Sequence, residues 1–301
     1  MGLSLRDLAL GLWDLYFGTS HLFTFKITAM PYKNKTVFIT GASRGIGKAI
    51  ALRLAQAGAN IIVASKSTEE DPRLGGTIFS AAAEIEEAGG KALAVQTDIR
   101  YEDQIIAAVA MAVEKFGGID IVINNASAIQ LTGTEQTETK RFDLIHNINV
   151  RGTFLVTKHC IPYLKKSTNA HILTLSPPLN LDPKWLGPHV AYTISKYNMS
   201  MLALGWAAEF KPAGIASNAL WPNTTIATAA VKNLLGGDWL INRSRTVDIL
   251  ADAAFYILQR PSADCTGNTF IDEEVLAAEG ITDLAKYSVV PGGPLQTDLF
   301  L

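Results

Sequence analysis

Thr36-Val37-Phe38-Ile39-Thr40-Gly41-Ala42-Ser43-Arg44-Gly45-Ile46-Gly47 is the stretch that decides the fold. Its first five residues are β-branched or apolar, the pattern of a strand buried on both faces of a parallel sheet. Glycines follow at once, and Lys48 to Ala55 then carries helical periodicity. Beyond Gly58, Asn60 to Ala64 reads as a second strand. Strand, glycine turn, helix and strand in that order form the context in which such a turn holds a dinucleotide. Glycine keeps the turn tight and lets backbone N–H groups at the helix N-terminus approach a pyrophosphate. The spacing is G-x-x-x-G-x-G rather than the commoner G-x-G-x-x-G.

Downstream the alternation continues. After a polar loop over 67–76, a helix over 77–88 stops at Gly89-Gly90, and a strand over 92–97 ends at Asp98. A helix over 102–116 stops at Gly117-Gly118, and a strand over 119–123 runs into Asn124-Asn125-Ala126-Ser127. A long helix is expected over 140–165, a strand over 171–175, a helix over 190–210 and a strand over 215–220. Trp221-Pro222 opens a loop to about 240, before a helix over 247–258, a short strand over 268–271 and a tail. This order predicts an α/β chain with a single Rossmann-type, doubly wound parallel sheet of about seven strands and helices on both faces. Ligands of such sheets bind at the carboxyl ends of the strands, where Asp98, Asn124, Ser176 and Pro222 fall.

On the helix expected over 190–210, Tyr192 and Lys196 stand at i and i+4 and share one face. A phenol ordinarily holds its proton to about pH 10. A nearby ammonium favours the phenolate, so that the pair can exchange a proton with a substrate oxygen.

The chain has 301 residues, 48% hydrophobic and 18% charged, with a formal net charge of −2. That composition supports a large core and excludes a disordered chain. No basic block suggests nucleic acid. Cys160 and Cys265 are far apart and read as buried thiols in a reducing compartment, so a cytoplasmic protein with no disulfide and no metal is expected. Residues 1–29 read as an extension to a single domain over 30–301, whose tail covers 275–301. Leu8, Leu12 and Leu15 follow helical spacing there, but Arg6, Asp7 and Asp14 make the stretch too charged for an integral membrane span. It reads as a surface helix, as a peripheral membrane or partner contact, or as a translation start placed ahead of Met30.

The glycine segment, Asp98, Asn124-Asn125-Ala126, Asn149 and the Tyr192/Lys196 pair stand in the order in which the short-chain dehydrogenase/reductase family carries them. The chain resembles that family over residues 33–275. Asn125-Ala126-Ser127-Ala128, Ser176 to Leu181 and Pro291 to Gln296 are similar to a hydroxysteroid dehydrogenase-like branch of it. Some members of that branch carry a further C-terminal sterol-carrier domain, which is not expected in a sequence ending at Leu301.

The resemblance implies a set of roles. Tyr192 is the proton donor or acceptor. Lys196 lowers its pKa and holds the nicotinamide ribose, while Asn149 holds a water leading from Lys196 to solvent. Gly41, Ser43, Arg44, Gly45, Ile46 and Gly47 form the pyrophosphate turn. Asp98 with Ile99 meets the adenine, Asn124 with Ala126 the adenosine ribose and central sheet, and Pro222, Ile226 and Thr228 the nicotinamide carboxamide. The family also implies a homodimer or homotetramer built through the helices over 140–165 and 190–210. Ser176 is the only hydroxyl at the end of strand five, although Pro177 holds the place where many members carry their serine. The chain departs from the family at Ser127, where glycine is usual, and at Pro222-Asn223, where Pro-Gly is usual. The second departure leaves Thr224 and Thr225 as rivals of Thr228.

The second strand ends Val63-Ala64-Ser65-Lys66, without the acid that would take a ribose 2′-hydroxyl. Lys66 and Arg44 suit a 2′-phosphate, and Arg73 adds a third charge if its loop folds back, so the expected cofactor is NADP(H). Trp185, Leu186, Trp221 and the segment 226–240 are the expected pocket walls, with Gly236-Gly237 as a lid hinge. Large aromatics and the lack of an arginine clamp favour an apolar carbonyl or alcohol, whether lipid-like, steroid or aromatic. Two other readings stand beside alcohol–carbonyl interconversion. Enoyl reduction is disfavoured by the Tyr/Lys spacing, and a cofactor-binding sensor or scaffold by the intact Tyr192, Lys196 and Asn149.

Overall fold

Strands β1 (Thr36–Thr40), β2 (Asn60–Ser65), β3 (Lys91–Gln96), β4 (Ile121–Asn124), β5 (Ala170–Leu175), β6 (Ile215–Trp221) and β7 (Thr269–Ile271) form one sheet. Its order is β3-β2-β1-β4-β5-β6-β7, and every pairing is parallel. The computed structural model describes residues 30–301, and the expectations for residues 1–29 fall outside them. Residues Pro31–Leu301 make one compact unit.

The sheet is apolar on both faces because successive side chains point to opposite sides. Val37, Ile39, Ile61, Val63, Ile121 and Ile123 enter one core with helices α1 (Gly45–Ala55), α2 (Ile78–Glu87) and α10 (Asp248–Gln259). Phe38, Ile62, Val122 and Ile172 enter the other with α3 (Glu102–Phe116), α5 (Thr153–Leu164) and α7 (Val190–Phe210). Local signals set the helix ends. Thr77 and Ser80 form a reciprocal capping box at α2. Glu102 and Asp103 complement the start of α3, and Gly117 at φ 85° ends it.

Three expectations are corrected. The single helix over 140–165 is α4 (Thr139–His146), a π-helical segment Asn147–Gly152 and then α5. The 222–240 loop contains α8 (Ala229–Val231), a second π segment Lys232–Gly236 and α9 (Gly237–Ile241), while α6 (Pro183–Leu186) lies after β5. The tail opens with α11 (Asp272–Ala278), whose first turn carries Asp272, Glu273 and Glu274.

β5 contributes one titratable group to the interior. His171 is buried, its Nε2 is 3.0 Å from the carbonyl of Arg260, and burial lowers its pKa to about 4 from 6.5. The folded value is depressed, so the unfolded chain binds the extra proton first as the pH falls. The stability conferred by neutral His171 is therefore complete above pH 6.5 and is lost between there and about 4. Denaturant unfolding of wild type and His171→Gln at pH 7 and pH 4 should show the wild type losing about 3 kcal/mol relative to the variant. A pH-independent difference would contradict that assignment.

Candidate active site

The sheet order reverses between β1 and β4, and a cleft of about 1330 Å³ opens there, above the roughly 300–1,000 Å³ of ordinary small-ligand pockets. Thr40 ties its two edges together. Its Oγ1 accepts the amides of Asn125 and Ala126 at 3.1 and 3.0 Å, and Asn125 Nδ2 donates to the carbonyls of Thr40 and Gly41. Gly41 and Gly45 take φ of 68° and 56°, conformations that other residues rarely adopt. α1 starts without a side-chain cap. Its free N–H groups, the two left-handed glycines and the buried, unpartnered Nε of Arg44 fit the phosphates of a dinucleotide.

The residues expected at the cofactor separate into two groups. Gly41, Ser43, Arg44, Gly45, Ile46, Lys66, Asp98, Ile99, Ala126 and Thr228 line the cleft. Gly47, Asn124, Pro222, Ile226, Tyr192 and Lys196 do not. Gly47 is a packing glycine, since a Cβ there would lie 2.7 Å from Gly41 O. Asn124 Nδ2 donates to Thr157 Oγ1, and it is Asn125 that lines the cleft. Ile226 points into the core. Among the threonines, Thr224 pairs with Thr297 and Thr225 Oγ1 bonds Ser244 Oγ. Thr228 caps α8 and lies over the glycine turn, 3.7 Å from where a Gly45 Cβ would stand.

At the end of β2, Ser65 Oγ bonds Ser43 Oγ at 3.1 Å, and Lys66 is exposed. Arg44 Nη2 donates to Gly76 O. Arg73 pairs instead with Asp71 and does not line the cleft. The carboxylate of Asp98 is held by Arg100, which keeps it below the usual carboxylate range.

A buried aromatic cluster built on Tyr192, Tyr197 and Phe300 adjoins the cleft, and Ile129 both packs against it and lines the cleft. The π segment turns Asn149 inward, where its four hydrogen bonds are all made. Oδ1 accepts from Ala128 N and Ser127 Oγ, and Nδ2 donates to Ala128 O and Ser195 Oγ. Ser127, the departure from glycine, thus gains a partner. Lys196 Nζ donates to Leu175 O at 2.6 Å and lies 5.0 Å from the Trp221 ring. Burial lowers its pKa to about 7 against the opposing pull of Asp298. Burial, and next the charge of Asp298, push the Tyr192 phenol above 10, opposite to the direction expected for a phenol activated by Lys196. Ser176 Oγ is buried at the end of β5 and has no partner.

Trp185, Leu186 and Trp221 come together as expected, but around the chain's own tail. Phe300 is fully buried against Tyr192 and Tyr197, and its backbone sits at φ 77°, which for a residue other than glycine costs roughly 1–2 kcal/mol. Trp221 Nε1 donates to Leu299 O at 3.0 Å and Asn180 Nδ2 to Phe300 O at 3.2 Å. Asp298 and Phe300 were not foreseen as site residues, because nothing in a tail sequence says where it lands.

A cleft that fits a dinucleotide at the switch point of a seven-stranded parallel sheet, with the buried Tyr192/Lys196 pair beside it, has the architecture of dinucleotide-binding proteins. The short chain dehydrogenase family model matches residues 35–237, and the chain belongs to that family. Members bind a nicotinamide cofactor. The chain is 59% identical to human hydroxysteroid dehydrogenase-like protein 2 over 266 residues, which cover 88% of this chain and 63% of that protein. The Xenopus tropicalis protein of the same name is 60% identical over the same span. The crystal structure of a short chain dehydrogenase from Mycobacterium thermoresistibile superposes with a TM-score of 0.85 at 56% identity, over 89% of this chain and 95% of that one. The chain thus spans less than two thirds of the length of its curated relatives.

Gly47 offers a test of the turn. Gly47→Ala drives a methyl into Gly41 O and Asn125 Nδ2. It should cost about 1–3 kcal/mol and lower Tm by roughly 3–10 °C. Gly118→Ala, which meets no atom within 4 Å, should stay within about 0.5 kcal/mol. Calorimetric melts of the two variants that coincide would contradict the packing role.

Proposed function

We propose that the protein is an NADP-dependent oxidoreductase that interconverts an alcohol and a ketone or aldehyde on an apolar substrate. The observation that carries this reading is that Tyr192 and Lys196 are buried four residues apart on α7 beside the cleft, with Lys196 Nζ on the Leu175 carbonyl and the next residue, Ser176, buried with its Oγ unpartnered. A nicotinamide cofactor held in the cleft by the Gly41–Gly45 turn would supply or accept the hydride. Tyr192 exchanges the proton with the substrate oxygen. Ser176 Oγ, already desolvated and without a partner, donates a hydrogen bond to that oxygen. Lys196, charged, favours the phenolate form of Tyr192. Asn149 holds Ser195 and the turn at Ser127–Ala128, which fixes the wall between cleft and cluster.

The apolar substrate is supported by the walls Trp185, Leu186 and Trp221, and agrees with the hydroxysteroid dehydrogenase-like name of the relatives. The choice of NADP(H) is supported by Lys66 just past the end of β2, where no acid stands, and by Arg44 in the glycine turn. Two free buried thiols support a reducing compartment such as the cytoplasm. Exposed Phe154 and Met201, on α5 and α7, support self-association through that face as a homodimer or homotetramer. Among the described residues no helix is long and apolar enough to cross a membrane.

A screen of apolar carbonyls with NADPH, followed by loss of absorbance, tests the reading directly. Tyr192→Phe should lower kcat by about 10²–10⁴ while leaving NADPH affinity unchanged. A variant that keeps full turnover would end the proposed mechanism.

Cofactor choice has its own test. The wild type should favour NADPH, and Lys66→Asp should reverse the preference, because loss of one charge-assisted hydrogen bond weakens NADPH binding by about ten- to a hundredfold. Equal kcat/KM for NADH and NADPH in the wild type would refute the assignment of Lys66 and Arg44.

A further inference from the structure

The segment 297–301 is built into the aromatic cluster more closely than a loose tail requires. Phe300 lies within 5.3–6.3 Å, centroid to centroid, of the rings of Trp185, His189, Tyr192, Tyr197 and Trp221. It is wholly buried and its backbone is left-handed. Main-chain groups anchor the segment at three points. Asp298 N donates to Asn223 O, Leu299 O accepts from Trp221 Nε1, and Phe300 O accepts from Asn180 Nδ2. The stretch before it is exposed and contains Gly292 at φ 74° and Gly293, a place for a hinge.

The chemistry around the cluster is left unfinished in this arrangement. Ser176 Oγ and Trp185 Nε1 are buried without a partner, and Lys196 Nζ is turned to Leu175 O. The Phe300 ring lies against the Tyr192 ring, 6.3 Å centroid to centroid.

We infer that Asp298-Leu299-Phe300 occupies the substrate's own place, the Phe300 side chain standing for an apolar ring and the Leu299 and Phe300 carbonyls for acceptor oxygens remote from the reacting centre. This rests on the oxidoreductase reading above and narrows its substrate. The substrate is a ring-bearing apolar ketone or alcohol with a second acceptor oxygen, which takes the donors Trp221 Nε1 and Asn180 Nδ2 that the tail releases. Trp185 Nε1 offers a third donor. Substrate entry and departure of the segment are then one event, and the segment competes with every ligand of the cluster.

The test uses the full chain saturated with NADPH, and 4-methoxyacetophenone as the probe. In wild type saturated with the ketone, hydrogen exchange at the Asp298 and Leu299 amides should accelerate. In Phe300→Ala the ketone should bind about tenfold more tightly than in wild type by ligand-observed NMR, since its ring no longer displaces a buried one. Binding to the variant alone supports the inference in the same way. Unchanged exchange in saturated wild type, equal affinity in a folded Phe300→Ala, or no binding to any folded form at millimolar ketone would each overturn it. Should the variant fail to fold, the wild-type measurement decides. Both readouts are independent of turnover. A ketone that releases the segment without oxidising NADPH would sink the oxidoreductase reading and leave the occupancy standing.

Discussion

The hydroxyl of Thr40 holds the molecule's working parts in register. It ends β1, accepts two consecutive amides from the turn after β4 and donates to Ile123 O. Each such bond contributes only about 1 kcal/mol net. Its effect is geometric, because β1 and β4 flank the point where the strand order reverses. With the two turns tied, the cleft has a fixed floor, and Gly41 and Gly47 must be glycines because Asn125 fills the space a side chain would need. Asn125 is therefore the residue that converts a sheet topology into a binding surface.

The buried cluster beside the cleft is ruled by desolvation. Burial raises the Tyr192 phenol, lowers Lys196 to about 7 and raises Asp298 to about 6. Asp298 and Lys196 each favour the other's charged form, while Asp298 disfavours the phenolate of Tyr192. In this arrangement the tail carboxylate opposes the ionisation of Tyr192 that the proposed proton transfer would need. Removing Asp298 from the cluster removes that opposing charge, so the electrostatics and the packing of Phe300 point the same way.

What could be read in the sequence was whatever short-range chemistry determines. The run Thr36 to Gly47 specified β1, its turn and α1, because apolar β-branched residues and glycines constrain the backbone within a few positions. Glu102 and Gly117 marked α3 for the same reason. The π segment at Asn147–Gly152 was not legible, since it depends on the contact of Gly152 with Ile99 and on the four bonds of Asn149. Nor could the pair Asn124-Asn125 be resolved by eye, because which of two neighbours faces the cleft follows from strand register. The walls Trp185, Leu186 and Trp221 were legible as large aromatics and aliphatics near the strand ends; their occupant, brought from more than seventy residues further along, was not.

The departure at Pro222-Asn223 and the buried tail are one structural device. Asn223 N donates to Asp272 Oδ1, Asn223 Nδ2 donates to Glu273 Oε2, and Asn223 O accepts from Asp298 N. Glycine could supply the main-chain bonds but not the amide that reaches Glu273. Glu273 in turn pairs with Arg245, whose amide and carbonyl lie against Thr225 and Ala227. The residue that breaks the family pattern thus joins the end of β6 to α11 and to the tail at once. Just past Asn223, Thr224 bridges Thr297, and three residues beyond Thr297 the Phe300 ring packs against Tyr192.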